Sequence, residues 1–555
     1  MEKKLKYNFS NYAFYNYFIL LGSVFSGILI SLAALGSGIQ LLSIISFIPL
    51  NLNLERYHEK KFRPFWKKAL IFFSSCWITG IIATSIGCYW ITNSIHVFGH
   101  IPWLVSLIIT GLGYGLEVGI QLFVYFGIPL LIIKKLNNWD LPIRFLYVLA
   151  LDPWYPKLIQ WNYGGLTFSE FPYIEQIADL IGSSGLIIFS LGLTFLTIGW
   201  IRFLERRIIN YKNLIKTSVA YFLLWSLGFS YGVWRFQSLE NNNSDFYTKT
   251  PKLDVLLIQP NFSLKELASN PQLSFSDREY NLETLLMDSK KGLEKLPRKT
   301  DYKKLLVWPE SVFPEPFFKF KKSREKVIAF AKKHKIQILF TSTDWENTKN
   351  GQKFYGVSIL VDENGEIIGR YNKIFLIPFG EMIPFSSWFP NIASWLRKNI
   401  SNMSAFDPGK EYKVFSLIGG EKFSAPICFD IFAPIVIREM VRNGSNLVIN
   451  LSNLAWFGRT NASNNMISVL RWRAIENRVP IVFASNNGQS IFIGANGKNL
   501  TRKLGLFEDG ILFSRISLKK HFSFYREYAE WVWGTNIFLF LMCFYQVHRK
   551  GKIFK

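Results

Sequence analysis

Three side chains with complementary chemistry follow apolar runs in the second half of the chain. Glu310 comes after LLVWP, Lys373 after GRYN and Cys428 after FSAPI. A thiol can attack a carbonyl carbon, a carboxylate can take the proton of the thiol, and an ammonium can stabilise the oxyanion that forms. These are the three groups that nucleophilic acyl transfer needs, provided that the fold brings them into one cleft.

The thiol of Cys428 stands apart from the other cysteines. Cys76, Cys88 and Cys543 lie in long apolar stretches, so Cys428 has no disulfide partner in its own part of the sequence. A lone buried cysteine most often serves as a small hydrophobe, and this interpretation holds unless other groups support a chemical one. The carboxylate and the ammonium are the candidates for that support.

The segments that carry these groups alternate between strand-like and helix-like patterns. Apolar runs such as LDVLLIQP, IQILFTST, FSAPICFD and NLVINLS alternate with helical stretches such as SREKVIAFAKKHK. This order predicts a layered α/β domain, in which reactive groups lie just past the ends of strands. Glu310, Lys373 and Cys428 are therefore expected to meet at the edge of a sheet.

Composition divides the chain into three parts. Of its 555 residues, 49% are hydrophobic and 17% aromatic, which is too apolar for soluble domains alone. Seven apolar stretches occur before residue 236, and most reach the roughly 20 residues of a membrane-spanning helix. We predict a transmembrane domain of about seven helices over 1–235, a globular domain over 236–525, and a last transmembrane helix with a basic tail over 526–555.

The distribution of charge predicts the orientation of these parts. Lys and Arg number 64 against 39 Asp and Glu, a net charge of +25. The basic loops fall on the same side of the predicted spans as both termini, and such loops mark the cytoplasmic face. The globular domain is then on the opposite face, although this would reverse in part if a short stretch lay in the interface. Nucleic acid is not an expected partner, because no basic recognition helix or stacking motif is present.

Motifs around the reactive residues resemble those of a known superfamily. VWPES, YNKIFLIPFGEMIPF and ICFDIFAP are similar to the Glu, Lys and Cys signatures of the nitrilase, or carbon–nitrogen hydrolase, superfamily. Within it, NLSNLAWFG, RWRAIENRVPIVFASNNG and the flanking spans resemble the apolipoprotein N-acyltransferase family. The resemblance covers nearly the whole chain. It implies a multispan α-helical membrane domain joined to a globular α/β nitrilase-like domain, an αββα sandwich.

The resemblance also implies roles for the matching residues. Cys428 would be the nucleophile, Glu310 the general base and Lys373 the cation that stabilises the oxyanion. Glu381, in PFGE, matches a further glutamate that positions the lysine and assists proton transfer. Asn450, Ser452 and Asn453 would shape the strand beside the site, and Glu476, in RAIENR, is interpreted as structural. For this chemistry we expect Lys373 to lower the pKa of Cys428, and a dry cleft to raise the pKa of Glu310.

The chain departs from the pattern of the family in three places. Phe429 and Asp430 follow the nucleophile where Tyr-Glu is common, which removes a phenol and shortens the carboxylate by one methylene. Leu454 replaces the usual Asp of the SN-acidic-AWFG string, and an aromatic residue expected after QPNFS is missing from LKELASN. These changes leave the three reactive groups intact but bear on substrate positioning.

The implied reaction joins two lipid substrates. The thiol would take an acyl chain from a phospholipid as a thioester, and the amine of a diacylglyceryl-cysteine at the N-terminus of an apolipoprotein would then receive it, in ping-pong order. This function places the protein in the bacterial inner membrane, as a multi-pass protein, with the catalytic domain on the periplasmic side. We expect a monomer in contact with membrane lipids, with no cofactor and no metal ion.

Other functions remain open from the sequence. The same three groups could serve a membrane-anchored amidase or nitrilase-type hydrolase, or a paralogue of altered specificity, and the globular domain could be vestigial in a transporter or scaffold. Residues 384–403 are rich in aromatics with a few basic residues, as in an interfacial arm over the site. Trp388 and Trp395 in this segment are equally compatible with ordinary core aromatics.

Overall fold

The computed structural model describes most of the chain and separates into two compact units. The described residues are 20–34, 39–59, 64–133, 139–157, 163–205, 210–243, 251–263, 274–296, 302–313, 315–349, 351–383, 386, 388–399 and 406–549. The first, here called the helical unit, comprises Met1–His96, Ile101–Trp234 and Tyr528–Lys555, and the second, the sheet unit, comprises Val97–His100 and Arg235–Glu527.

Among the described residues of the helical unit, three helices are long and apolar enough to cross a membrane, which supports the predicted membrane character. They are Phe65–Gly87, Trp103–Ile132 and Ile187–Leu204, and Leu20–Ala34 is apolar but shorter. The count of about seven spans stays a prediction. The other helices that lie wholly or mainly in this unit are Phe47–His58, Tyr89–Gly99, Asp140–Leu151, Tyr163–Phe168, Pro172–Glu175, Ala178–Gly185, Tyr211–Asn243 and Phe524–Arg549.

Glycines bring two of these helices into backbone contact. A Cβ atom built on Gly80 would lie 2.2 Å from the backbone oxygen of Gly115, and one built on Gly119 would lie 2.6 Å from the Cα atom of Trp77. Helix Phe65–Gly87 therefore packs directly against Gly115–Leu122, the central part of Trp103–Ile132. Small residues at such a contact are typical of helix pairs in membranes, where van der Waals packing drives association.

A cluster of four charged side chains is buried in the helical unit. Arg202 donates two hydrogen bonds of 2.9 Å to the carboxylate of Asp140, and its Nη2 lies 2.8 Å from Glu55 Oε2. Arg144 is hydrogen-bonded to Glu55 and lies 3.6 Å from Asp140 Oδ2, and its Nη2 donates to Asn51 Oδ1 at 2.6 Å. Two carboxylates are thus matched by two guanidinium groups, which satisfies the requirement that buried charges be paired.

The sheet unit is built on two sheets. Its strands are β1 (Lys252–Gln259), β2 (Lys303–Val307), β3 (Gln337–Thr348), β4 (Gly351–Val361), β5 (Ile367–Asn372), β6 (Phe415–Ser416), β7 (Lys422–Phe423), β8 (Val448–Ser452), β9 (Ile481–Ser485), β10 (Ile491–Ile493) and β11 (Gly510–Ser517). One sheet has the order β11-β1-β2-β3-β4-β5 and the other β10-β9-β8, while β6 and β7 form a short pair. Strands β1, β2 and β3 are mutually parallel, as are β8 and β9.

Helices cover these sheets and complete the core. They are Phe275–Glu294, Lys321–His334, Pro390–Asn399, Pro434–Arg442 and Ala462–Asn477. The first begins at a capping box, in which the Ser274 hydroxyl accepts a hydrogen bond from the backbone of Asp277 and the Asp277 carboxylate accepts one from Ser274. Its buried Leu282 and Leu285 join Trp308 of the apolar core on the six-stranded sheet.

The predicted strands are present with one exception, and β6, β10 and β11 had no predicted counterpart. FSAPICFD is not a continuous strand: β7 ends at Phe423, and residues 424–427 contact β8 only through isolated bridges. Strand β11, which pairs with β1 along its whole length, has no predicted counterpart because its residues, GILFSRIS, carry a weak strand pattern. The alternating α/β architecture itself follows the sequence pattern.

Candidate active site

Cys428 lies at the start of a tight turn beside the three-stranded sheet. The preceding residues run parallel to β8, with bridges from Ser424 to Val448 and from Ile427 to Leu451. The chain then enters a 3₁₀ turn, Cys428–Phe432, and Cys428 itself has φ +48°. A left-handed conformation is costly for a residue with a side chain and is found mainly where function requires it. It places the thiol at the end of an extended segment.

Lys373 lies between two glutamates. Its Nζ atom is 2.6 Å from Glu381 Oε1 and 3.5 Å from Glu310 Oε1, and the lysine is buried. Glu310 Oε2 accepts a hydrogen bond of 2.9 Å from the backbone N–H of Asn453. The Glu310 carboxylate also lies close enough to the Cys428 thiol for each group to shift the pKa of the other. The structure therefore brings the four sequence-predicted groups Glu310, Lys373, Glu381 and Cys428 together.

Backbone contacts hold the lysine and its nearer glutamate in place. Lys373 follows β5 directly, its N–H donates to Gly356 O at 2.9 Å, and its carbonyl accepts from Gly409 N at 2.7 Å. Glu381 Oε2 accepts a hydrogen bond of 2.9 Å from Ile377 N, which leaves Oε1 for the ammonium. The position of Lys373 is thus fixed by strand pairing at one end and by a carboxylate at the other.

Asp430 links the nucleophile turn to the segment that carries Lys373. Its Oδ1 atom accepts hydrogen bonds from Ile374 N at 3.2 Å and Phe375 N at 2.7 Å. Its Oδ2 atom accepts from Ile427 N at 2.9 Å and from the Tyr371 hydroxyl at 2.7 Å. Because these donors flank both Cys428 and Lys373, the short carboxylate fixes the distance between the two segments.

Two polar residues of β8 contact Cys428, and neither was assigned a direct contact from the sequence. Ser452 Oγ donates to Cys428 Sγ at 3.3 Å. Asn450 Nδ2 donates to the backbone oxygen of Cys428 at 3.1 Å and to that of Pro426 at 3.3 Å. Both residues stand at alternate positions of one strand, so they share a face of the sheet. That alternation was the available sequence signal.

A buried arginine supports the far end of the nucleophile turn. Arg473, on helix Ala462–Asn477, donates from Nε to Ile431 O at 2.9 Å and forms an ion pair with Glu476. Both side chains are buried. This contact agrees with a structural role for Glu476, whereas Arg473 was not singled out in the sequence.

Burial controls the protonation of the thiol. It raises the pKa of Cys428, the charge of Glu310 raises it further, and Lys373 and the hydrogen bond from Ser452 only partly oppose these effects. The expectation that Lys373 holds this pKa below the ordinary value is therefore wrong, because desolvation of the thiolate and a nearby carboxylate outweigh one ammonium. The raised pKa favours the protonated thiol, so Cys428 would need a base in order to act as a nucleophile.

The pKa values of the titratable groups around the thiol are also raised. Burial raises the pKa of Glu310 although Lys373 opposes it, which agrees with the expectation for a general base in a dry cleft. Burial would lower the pKa of Lys373, but Glu381 and Glu310 outweigh it and raise the pKa, so the ammonium stays charged. Burial raises the pKa of Asp430 to about 6, although Lys373 and hydrogen bonds from Phe375 and Ile427 oppose the shift.

Within the described ranges, no group of three or more His, Cys, Asp or Glu side chains could hold a metal ion. The side chains of the cluster are of the types that can transfer a proton (Glu310), attack a carbonyl carbon (Cys428) and stabilise an oxyanion (Lys373).

Both halves of the chain match models of known protein families. Residues 26–196 match the family model "Apolipoprotein N-acyltransferase N-terminal domain", and residues 269–522 match "Carbon-nitrogen hydrolase". The apolipoprotein N-acyltransferase of Geobacter metallireducens is 29% identical over 92% of this chain and 91% of its own length. That of Borreliella burgdorferi is 27% identical over 90% of each. The chain belongs to the apolipoprotein N-acyltransferase family.

Solved structures with similarity to the chain come from the nitrilase superfamily. Nit3 of Saccharomyces cerevisiae has a TM-score of 0.35 and 21% identity, and the match covers 48% of this chain and 90% of that one. An amidase from Nesterenkonia sp. has a TM-score of 0.37 and 20% identity, over 53% and 99%. The family match and the two-sheet architecture together confirm the predicted fold class of a helical membrane part and a nitrilase-like α/β part.

The departures from the usual pattern of this acyltransferase family occupy buried positions. The ring of Phe429 stacks on Phe432 with the centroids 4.8 Å apart, so no hydroxyl is needed there. Leu454 is buried at the start of the short turn Ala455–Phe457. The segment LKELASN, in which an aromatic residue was expected, lies outside the described residues.

Only part of the segment predicted to form an interfacial arm is described. Helix Pro390–Asn399 is present, and Trp388 and Trp395 are 74% and 62% exposed. Their exposure excludes the alternative that they are ordinary core aromatics. Residues 384, 385, 387 and 400–403 lie outside the described residues.

Proposed function

We propose that this protein transfers an acyl chain from a membrane phospholipid to the N-terminal amine of the diacylglyceryl-cysteine of apolipoproteins. The observation that carries the proposal is the cluster of Cys428, Glu310 and Lys373 in a chain whose two halves both match the family. The cluster supplies a nucleophile, a base and a cation, and the family assigns the substrates. The enzyme is an acyltransferase, and the Glu-Lys-Cys triad is our assignment of its machinery.

The first half-reaction acylates the thiol. Glu310 takes the proton of Cys428 as the sulfur attacks the ester carbonyl of the phospholipid, and an S–C bond forms. Lys373 stabilises the oxyanion of the tetrahedral intermediate. Collapse of the intermediate breaks the ester C–O bond, and Glu310 returns the proton to the departing oxygen, which leaves as lysophospholipid. Cys428 then carries the acyl chain as a thioester.

The second half-reaction passes the acyl chain to an amine. The neutral α-amine of the lipoprotein attacks the thioester carbon, and Glu310 accepts the proton that the amine loses. Collapse of the second tetrahedral intermediate breaks the C–S bond, and the thiolate recovers its proton from Glu310. The product is an amide, and one nucleophile has served both substrates in turn.

Glu381 has a positioning role in this scheme. Its contact of 2.6 Å with Lys373 Nζ is the shortest that the ammonium makes with a carboxylate, while Glu310 lies farther away at 3.5 Å. Glu381 can therefore hold the ammonium in place while Glu310 exchanges a proton with the sulfur. Asn453 contributes through its backbone N–H, which orients the Glu310 carboxylate.

We further propose that the sheet unit acts on the periplasmic side of the inner membrane. The basic loops on the side of both termini support this orientation. A reporter that is active only outside the cytoplasm should work when fused after residue 400 and stay silent when fused within residues 56–68. The reverse result at either position would contradict the orientation.

Mass spectrometry of the intact purified protein tests the function. After incubation with phospholipid, the unaltered protein should carry one acyl adduct on Cys428, and an added diacylglyceryl peptide should remove it as an amide. Cys428→Ala should carry no adduct, and Cys428→Ser should carry almost none, because an alcohol is far harder to deprotonate. Release of the acyl chain only as free fatty acid would instead identify a hydrolase.

A further inference from the structure

A serine hydroxyl lies against the candidate nucleophile. Ser452 Oγ is 3.3 Å from Cys428 Sγ, with the hydroxyl as donor and the sulfur as acceptor. Both side chains are buried. The hydroxyl therefore contacts the reacting atom itself, and the scheme of Glu310, Lys373 and Cys428 gives it no task.

The strand arrangement fixes the position of this hydroxyl. Ser452 is the last residue of β8, it pairs with Ser485 of β9, and its carbonyl accepts a hydrogen bond of 3.1 Å from Asn486 N. On the other side of β8, Leu451 bridges to Ile427, the residue before the nucleophile. The donor and the sulfur are thus carried by two adjacent extended segments, so their separation does not depend on a flexible loop.

We propose that Ser452 is a catalytic residue whose hydroxyl stabilises the thiolate of Cys428 in both half-reactions. The inference rests on the proposed role of Cys428 as the nucleophile. A hydrogen bond to a neutral thiol is weak, but it becomes charge-assisted, and therefore stronger, once the sulfur carries a negative charge. Ser452 thus favours the state that forms during attack over the resting state.

The charges around the sulfur explain why a neutral donor is useful there. Glu310, Glu381 and Asp430 supply three carboxyl groups close to Cys428, and Lys373 supplies one ammonium, already paired with two of them. The carboxylates oppose formation of a thiolate, and burial opposes it too. A hydroxyl stabilises the anion without adding a charge that the carboxylates would capture.

The same contact assists release of the acyl chain. In the second half-reaction the thiolate is the leaving group, and a thiol of lower pKa leaves faster. A donor that stabilises the thiolate therefore accelerates breakdown of the thioester intermediate as well as its formation.

The test compares the full-length protein in detergent with Ser452→Ala and with a matched control, Ser424→Ala. Ser424 is also buried, lies four residues before Cys428, and donates its hydroxyl to Lys413 O at 3.0 Å, away from the sulfur. The first readout is the pH dependence of alkylation of Cys428 by iodoacetamide, measured without lipid by mass spectrometry of the peptide that contains it. The second is the rate of acylation by phospholipid.

We expect Ser452→Ala to move the alkylation midpoint upward by about one pH unit and to slow acylation roughly ten- to a hundredfold, because hydrogen bonds to charged groups have that strength. In Ser424→Ala the alkylation midpoint and the acylation rate should stay close to those of the unaltered protein. If Ser452→Ala is recovered unfolded, Ser452→Thr and Ser452→Val carry the comparison, since they differ only in the hydroxyl. The acylation rate of Ser452→Thr should then exceed that of Ser452→Val by a similar factor.

Two outcomes would overturn the inference. One is an alkylation midpoint in Ser452→Ala that equals the midpoint of the unaltered protein, and the other is an equal loss in Ser424→Ala, which would indicate general packing. Failure of the unaltered protein to form an acyl adduct would refute the proposed function instead. The alkylation midpoints, measured without lipid, would still decide the role of Ser452.

Discussion

Two clusters of ionisable side chains among the described residues, one in each unit, are built differently. In the helical unit, Glu55 and Asp140 are matched by Arg144 and Arg202, two negative charges against two positive ones. In the sheet unit, Glu310, Glu381 and Asp430 surround a single Lys373. One cluster is balanced, and the other has a surplus of carboxyl groups.

The difference separates a structural cluster from a reactive one. In the balanced cluster the guanidinium groups of Arg144 and Arg202 hold both carboxylates by fixed hydrogen bonds, an arrangement suited to a structural role. Lysine is a compact charge, and Lys373 contacts only two of the three carboxyl groups, those of Glu381 and Glu310. Burial raises the pKa of Glu310 and of Asp430, and the nearby Glu381 raises that of Glu310 further, so these carboxyl groups are more ready to accept a proton than ordinary ones.

The largest effect is expected from removing the base of the reactive cluster. Glu310→Gln keeps the shape of the side chain but cannot take the proton of Cys428, so acylation should fall about 100- to 10,000-fold. The measurement is the single-turnover rate of acyl-adduct formation by mass spectrometry. Glu315→Gln is the control, because Glu315 is also buried but is hydrogen-bonded to Ser323. Near-normal acylation in Glu310→Gln would remove Glu310 from the mechanism.

Unbalancing the other cluster should affect stability. Arg202→Leu leaves Glu55 and Asp140 with Arg144 alone, and breaking a buried pair in this way costs about 3–5 kcal/mol. The double variant Arg202→Leu with Asp140→Leu keeps Glu55 paired with Arg144, so it should recover part of that loss. Thermal unfolding of the purified protein in detergent measures both. Equal destabilisation of the single and double variants would show that charge balance is not what matters.

Removing the cation of the reactive cluster should slow the acylation of Cys428. Lys373→Ala removes the group assigned to the oxyanion, and loss of one such donor costs about 100- to 1000-fold in rate. Lys373→Arg should not restore the rate fully, since a planar guanidinium places its charge differently. Lys326→Ala, which breaks the partly exposed pair with Glu279, should be close to neutral. Full activity in Lys373→Arg would point to simple charge balance.

The smallest effect concerns pH and sharpens the assignment of the base. Glu310 must be ionised to act, so acylation should rise with pH through a midpoint above about 4.3, the ordinary value for glutamate. Asp430, with a pKa of about 6, titrates in the same range and could produce a similar rise of the acylation rate with pH. In Asp430→Asn the rise of the acylation rate with pH should persist, while the rate itself falls about tenfold, because an amide cannot accept all four hydrogen bonds. If the rise with pH were lost in Asp430→Asn, it would be due to Asp430 and not to Glu310.

The reactive cluster was predictable because its members are unusual residues at the ends of apolar runs. Glu310, Lys373 and Cys428 stand out in type and position, each just past an extended segment. The sequence did not show that Lys373 follows an antiparallel strand or that Cys428 lies beside the other sheet. The hydroxyl of Ser452 was not predictable, because serine is common and only the register of β8 against residues 424–427 brings it to the sulfur. The pKa direction of Cys428 was predicted wrongly, because the sequence shows the nearby lysine but not the depth of burial.

The balanced cluster was not predicted at all, for a related reason. Arg202 reaches Asp140 across 62 residues and Glu55 across 147, and no periodicity within one helix indicates such a partnership. Asp430 is an intermediate case: its position beside Cys428 drew attention to it, but its bonds to Tyr371, Ile374 and Phe375 depend on tertiary structure. Sequence patterns identified the reactive groups better than the contacts that hold them.

The glycine contact in the helical unit has a consequence for which variants the protein tolerates. A single methyl group on Gly80 would collide with the backbone oxygen of Gly115, and neither helix has a side chain at that point that could move aside. In the sheet unit, by contrast, the core is filled by large side chains such as Trp308, and trimming one of them leaves a cavity that the neighbours fill only in part. Mutational scanning of the whole chain should therefore find its least replaceable apolar positions at opposite ends of the size scale: at the smallest residues in the helical unit and at the largest in the sheet unit.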